Sequence, residues 1–259
     1  MKYYGDYHTH SRYSDGQEKV ERIAEAARRQ GLSEVAVTDH GPNVLVSGVK
    51  NLDSYQQLLE EIESLEIPEI RVLAGAEANI IDLKGMLDIP PPVYEKLDVL
   101  ICGLHPYSIP GNIRDGYRLF GRNHLRHLSH SRRQKAVNAN TKATVAALEN
   151  NPVDILSHPG LFFEVDMVEV SRACIREEVL FEINCGHHHP ELEDVETAFR
   201  VGVEFIINSD AHFYDTVGEL EYGSRLVKKL GIPAERIVNC CRVGGDEGWI
   251  GKRRKSKHW

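Results

Sequence analysis

No stretch of this 259-residue chain approaches the roughly 18 uninterrupted apolar residues that a membrane span requires. The opening Met1-Lys2-Tyr3-Tyr4-Gly5-Asp6 has none of the apolar core of a secretory leader, so a cytoplasmic location without a membrane partner is expected. Cysteine is scarce. There are five, an odd number at irregular spacing with no Cys-x-x-Cys pair, which gives no sign of a zinc knuckle or a dithiol redox centre. Cys102, Cys174, Cys185, Cys240 and Cys241 are therefore expected to be reduced thiols, mostly packing groups. Excess positive charge is missing as well. The formal net charge of -8 argues against a nucleic-acid partner gripped by a broad basic surface and favours a small substrate. The one basic run, Lys252 to Lys257, reads as part of a solvated tail over 252–259. With no internal repeat and no low-complexity linker, residues 1–251 are expected to form a single domain.

The apolar fraction of 41% and charged fraction of 27% are those of an ordinary globular protein with enough material for a full core. Short apolar runs of strand type, at 4–9, 34–38, 70–75, 98–103, 153–157, 179–184 and 203–208, alternate with amphipathic helical stretches. Between the first two, Val20, Ile23, Ala24 and Ala27 recur at helical spacing and Gly31 follows as a stop. Similar patterns occupy 52–66, 133–150, 166–177, 191–201 and 216–230. Seven βα units predict an α/β fold, a distorted seven-stranded TIM-like barrel. Pro106 to Arg132 has no strand pattern, and a connection of that length is expected to be a functional loop or lid.

Most of the metal-type side chains stand directly after apolar runs. Val35 to Thr38 leads to Asp39-His40, Val72 to Ala76 to Glu77, Leu100 to Leu104 to His105, Ile155 to Ser157 to His158, and Ile206 to Ser209 to Asp210. Parallel barrel strands all end on one face, so these residues would converge there. His8-Thr9-His10 and Asp210-Ala211-His212 place ligand-type residues at i and i+2, on one side of an extended strand. Imidazole and carboxylate together suit zinc, manganese or iron. A single histidine after a strand is often a hydrogen-bonded rim group, but buried carboxylates and imidazoles gathered in number need partners that cations supply.

His8-Thr9-His10, Ser14-Asp15-Gly16, Thr38-Asp39-His40-Gly41-Pro42, Gly75-Ala76-Glu77-Ala78-Asn79, Gly103-Leu104-His105, Ser157-His158-Pro159-Gly160 and Ser209-Asp210-Ala211-His212 together resemble the motif series of the PHP family, named for polymerase and histidinol phosphatase. The resemblance runs in order from residue 6 to about 225. It implies three divalent ions: one held by His8, His10, Glu77 and Asp210, a second by Glu77, His105 and His158, and a third by Asp15, His40 and His212, where Asp15 stands in place of the histidine of many relatives. Glu182-Ile183-Asn184 also resembles a family strand end beside the centre. Glu77, His158 and Asp210 would carry catalysis with the metals. Three divalent ions against Glu77, Asp15 and Asp210 leave about +3, or about +2 with one bridging hydroxide as nucleophile, a match for a phosphomonoester dianion.

For the substrate, His187 in the run His187-His188-His189 is a candidate to approach the phosphoester, with an exposed turn before Pro190 as the other reading. Arg114, Arg118, Arg122 and Arg126 recur at four-residue steps and would share a helix face. Arg132 and Arg133 beyond them are candidate phosphate contacts, with a solvated basic helix paired to surface Asp and Glu as the other reading. A small-molecule phosphatase of histidinol-phosphatase type is the leading expectation. A phosphodiesterase or 3′-5′ exonuclease, and a non-catalytic module stabilised by its metals, stand as alternatives.

Overall fold

The computed structural model describes residues 1–240; Cys241 and the basic tail at 252–259 lie outside the described residues. The strands are β1 (Gly5–Thr9), β2 (Glu34–Val37), β3 (Arg71–Asn79), β4 (Val99–Gly103), β5 (Ile155–Leu156), β6 (Leu180–Asn184) and β7 (Phe205–Asn208). Each pairs in parallel with the next in sequence, in the order β1 to β7. The ring nearly closes between β7 and β1. There the Thr9–Ala211 bridge and the Tyr7 amide, donating to Asn208 Oδ1 at 3.0 Å, take the place of a full ladder.

The helices are α1 (Val20–Arg29), α2 (Asp53–Glu63), α3 (Pro91–Tyr94), α4 (Ile113–Gly116), α5 (Arg122–His124), α6 (His130–Asn150), α7 (Met167–Arg176), α8 (Leu192–Val201) and α9 (Glu221–Leu230). In α1 the buried residues Val20, Ile23, Ala24 and Ala27 form the stripe that the sequence pattern predicts, and Gly31 follows in the left-handed region with φ 77°.

The strands separate two cores. Tyr7, Ala36, Leu73, Val99, Ile101, Ile155, Leu180 and Ile206 fill the barrel interior. Their outward neighbours, such as Val35, Ala74, Leu100, Phe181 and Phe205, pack beneath the helices. Together these layers hold the strand ends in place.

The long connection after β4 departs from expectation in detail. It contains α4, a π-helical segment at 117–121, α5 and a 3-10 turn at 126–128. The helical run that carries Arg114, Arg118 and Arg122 ends at His124, and Arg126 falls in the 3-10 turn beyond it, so the four do not share one helix. α6 begins at His130, its first turn capped by Ser129, whose hydroxyl accepts from the Arg132 amide. Ser108 also bridges to Val44, tying this connection to the loop after β2.

Ile101 is fully buried in the inner core, so Ile101→Ala should lower unfolding free energy by about 2–5 kcal/mol. Urea denaturation checks this, and a loss under ~1 kcal/mol would show the inner layer to be loosely filled.

Candidate metal centre

Along several strands, the inward positions change from apolar to polar toward the C-terminal end. On β3 the step of two runs from Leu73 through Gly75 to Glu77. Beyond β4, Ile101 and Gly103 lead to His105; on β6 Leu180 leads to Glu182 and Asn184; after β7, Ile206 and Asn208 lead to Asp210. β3 continues through Asn79, beyond the expected end at residue 75, so Glu77 lies inside the strand and pairs with Ile101. The apolar run ends before the strand does because the carboxylate remains covered.

β1 reaches the interior differently. Tyr7 belongs to the inner core, and the pairing with β2 shifts register between Asp6 and Thr9. The adjacent His8 thereby reaches the same interior.

The expected ligand positions gather into one cluster, five of its histidines around Glu77 and the rest linked through Asp210 and Asp15. Glu77 Oε2 lies 3.3 Å from His8 Nε2, 3.7 Å from His10 Nε2 and 2.9 Å from His40 Nδ1. Its other oxygen lies 3.2 Å from His105 Nε2 and 3.1 Å from His158 Nε2. Asp210 Oδ1 is 3.0 Å from His10 Nε2 and 3.5 Å from His8 Nε2. Asp15 completes the outer side, 3.4 Å from His212 Nε2 and 3.9 Å from both His10 Nδ1 and His40 Nε2. Donor atoms fall into three groups, each spanning no more than 4.8 Å: His10, Asp15, His40 and His212; His8, His10 and Asp210; and His40, Glu77 and His105. His10 joins two of them, with its ring stacked between those of His40 and His212 at 4.4 and 4.3 Å.

His10 Nε2 with Asp210 and His158 Nε2 with Glu77 have hydrogen-bonding geometry, but much of the cluster does not. His8 Nε2, His10 Nδ1, His40 Nδ1, His105 Nδ1 and Glu77 Oε2 are buried without a hydrogen bond of acceptable geometry. Leaving such atoms unmatched costs about 1–3 kcal/mol each, and shared divalent cations would offset it. The donor set therefore fits the metals that imidazole and carboxylate together select.

Burial pushes the Glu77 and Asp210 carboxyls up, but neighbouring histidines reverse this and hold both well below the usual carboxylate range. Burial also pushes His105 down to about 4, and with help from His40 and His212 it takes His10 to about 3. Both rings are thus neutral at ordinary pH, the form that ligates. At the outer edge the balance differs: burial lowers His212, but Asp15 and Asp210 raise it to about 9.

The PHP domain matches residues 6–183. The chain belongs to this family. A protein of Clostridium botulinum named "probable phosphatase" is 32% identical over 250 residues, spanning 92% of this chain and 91% of that one. One of the same name from Thermoanaerobacter sp. is 29% identical over 253 residues, with the same two coverages. Among solved structures, histidinol phosphate phosphatase from Lactococcus lactis superimposes with a TM-score of 0.60 over 88% of this chain and 94% of that one, at 19% identity. That likeness concerns the fold.

In this PHP domain the three successive histidines after β6 part company. His187 is partly exposed, with Nε2 3.4 Å from Asp210 Oδ2 and its ring edge-on to His158 and Phe162. His188 stacks on Tyr222 at 4.9 Å, and His189 Nε2 lies 3.0 Å from the Pro159 carbonyl. Arg132 and Arg133 are not brought into the ion-pair cluster. Both are exposed, and Arg133 Nε donates to Glu164 at 2.6 Å. Among the described residues, every ion pair of Asp15, Glu77 and Asp210 comes from a histidine.

Two supporting carboxylates stand out only in three dimensions. Asp39 accepts from the Ser11 amide at 2.8 Å and from the hydroxyls of Ser11 and Ser14, fixing the turn that carries Asp15. Asp6 accepts from the amides of Ser209 and Gly218, holding the segment around Asp210. Asp39 directly precedes His40 in sequence, whereas Asp6 lies at the start of β1.

Gly103 permits the close approach of β4 and the loop after β5. A methyl there would overlap Ser157 Oγ and press on the Cε1 atoms of His105 and His158 at 3.2 Å. Gly103→Ala should therefore weaken divalent-metal binding about tenfold or more while the fold persists, as measured by metal content after dialysis against graded chelator. Unchanged affinity would show that the rings have room to retreat.

Proposed function

We propose that this protein is a metal-dependent phosphoesterase that hydrolyses a phosphomonoester of a small molecule, in the manner of histidinol phosphatases, at a centre of three divalent ions. Membership of the PHP family and the phosphatase names of its relatives support phosphoester hydrolysis. The observation that supports the finer reading is the gathering of imidazoles and carboxylates into three adjoining donor groups, linked through His10 and His40, with Glu77 in contact with both His105 and His158. Zinc, manganese and iron all suit this set. The Lactococcus protein, solved with zinc, L-histidinol and phosphate, is a relative of the same fold with this class of chemistry.

His8, His10, Glu77 and Asp210 would hold one ion, Glu77 with His105 and His158 a second, and Asp15, His40 and His212 the third. The two oxygens of Glu77 face different imidazole sets, so one carboxylate suits a bridging role. His40 likewise turns Nδ1 to Glu77 and Nε2 to Asp15, standing between two groups. When bound, divalent ions supply Lewis acidity toward phosphoryl oxygens and acidify water for attack. The chain's part is to hold its imidazoles and ionised carboxylates in place before substrate arrives. His187 is open enough to meet the substrate: its side chain is 43% exposed, and the Asn184 side chain anchors its amide. We assign the substrate contact to His187. The Arg133 guanidinium is already engaged by Glu164, and Arg132 beside it is exposed on the same helix turn.

Glu77→Gln and His158→Ala should each reduce turnover by roughly a thousandfold or more while circular dichroism stays native. Full activity in either would refute the assigned roles. The assay is a phosphomonoester panel run beside single-stranded DNA with Mn²⁺, Zn²⁺ and Fe²⁺ separately. Cleavage of DNA alone would move the reading to an exonuclease, and protein purified with fewer than about two equivalents of metal would favour a non-catalytic module. Arg132→Ala and Arg133→Ala are expected to leave KM unchanged on the best monoester, and a several-fold rise would return them to the substrate site.

A further inference from the structure

Glu182 is absent from the three donor groups, yet it is fully buried beside them and takes a donor from four places. Oε1 lies 2.8 Å from His8 Nδ1 and accepts from Asn208 Nδ2 at 2.8 Å. Oε2 accepts from the His158 backbone amide at 2.8 Å and from Asn184 Nδ2 at 3.2 Å. An ionised carboxylate can only accept, so His8 Nδ1 must donate to it. In neutral His8 the lone pair then sits on Nε2, the nitrogen that faces Glu77 and Asp210.

The second oxygen controls backbone. His158 adopts φ 26°, in the left-handed region, at a cost on the order of 1–3 kcal/mol for a non-glycine residue. Its amide is the one that Glu182 accepts, which helps to hold the strained turn that aims Nε2 at Glu77 from 3.1 Å. The network continues outward. Asn184 Nδ2 also donates to Asp210 Oδ2 at 2.9 Å, and Asp210 likewise has positive φ, at 53°. Asn208 links the same carboxylate to the β7–β1 seam through the Tyr7 amide.

We propose that Glu182 is a positioning residue that sets the ring tautomer of His8 and fixes the backbone of His158, and so governs how tightly the centre binds divalent metal. This rests on the metal centre proposed above. A partner on the far nitrogen of a ligating histidine typically alters metal affinity by about tenfold to a hundredfold.

Zinc is the probe, and the full-length zinc-loaded protein with ¹⁵N-labelled histidine is the sample. His8, assigned by loss of its signals in His8→Gln, should carry its proton on Nδ1 and none on Nε2. Glu182→Gln must turn an amide N–H₂ toward one of two donor pairs, so it either reverses the His8 tautomer or strands the His158 amide. Its zinc affinity should fall about tenfold to a hundredfold in competition with a chromophoric chelator, and Glu182→Asp, which keeps two acceptor oxygens, should recover part of the loss. A His8 proton on Nε2 in the wild-type protein would overturn the proposal. So would a folded Glu182→Gln variant binding zinc within ~2-fold of wild type. The wild-type spectrum decides the matter even if the variant does not fold. Wild-type protein that binds no zinc would remove the metal centre itself, a failure distinct from that of Glu182.

Discussion

A carboxylate with no solvent access, Glu77, is surrounded by the imidazoles of His8, His10, His40, His105 and His158, and much of the architecture around it exists to make that arrangement tolerable. An unpaired buried carboxylate would cost far more than a single domain's margin of stability. Here its charge is met from both oxygens, and the apolar floor of the barrel beneath raises the strength of every one of those contacts. Strain is accepted nearby. His158 and Asp210 both take left-handed backbone, which places their side chains where an extended residue would not.

A second ring of groups holds the first. Asp6, Asp39 and Glu182 are all buried, and each binds backbone amides of the segments that carry cluster residues. Burial pushes the Asp6 and Asp39 carboxyls up against the pull of their hydrogen bonds, whereas Glu182, although burial raises it too, is held below the usual range by His8 and His158. The site is thus buried and hydrogen-bonded on its inner side, through β1, β6 and β7. Its outer side, with Asp15, His212 and His187, is partly open. That asymmetry leaves one side of the cluster open to solvent while the other is enclosed by the barrel.

The long connection after β4 shows what residue spacing leaves open. Four arginines at four-residue steps look like one basic face, and an anion is the natural partner to supply. The helical run ends before Arg126, and a neighbouring carboxylate, Glu164, takes up Arg126 and Arg133. An arginine's partner depends on which loop the fold lays beside it, and residue spacing carries no such information.

Legible in the chain before folding were the seven βα units and the histidines and carboxylates standing at or just beyond the strand ends, with the pairs His8/His10 and Asp210/His212 each on one side of an extended segment. These follow from period-two and period-3.6 patterning and from histidine and carboxylate at the ends of apolar runs, all of which are local. Tertiary structure alone decided which nitrogen of each ring faces which oxygen and that β3 carries Glu77 within the strand. It also decided that Glu182 joins His8 to His158 across 174 and 24 residues of chain. Those outcomes depend on side chains meeting around a closed ring, where register, strand tilt and backbone strain act together, and no window of neighbouring residues encodes such a meeting.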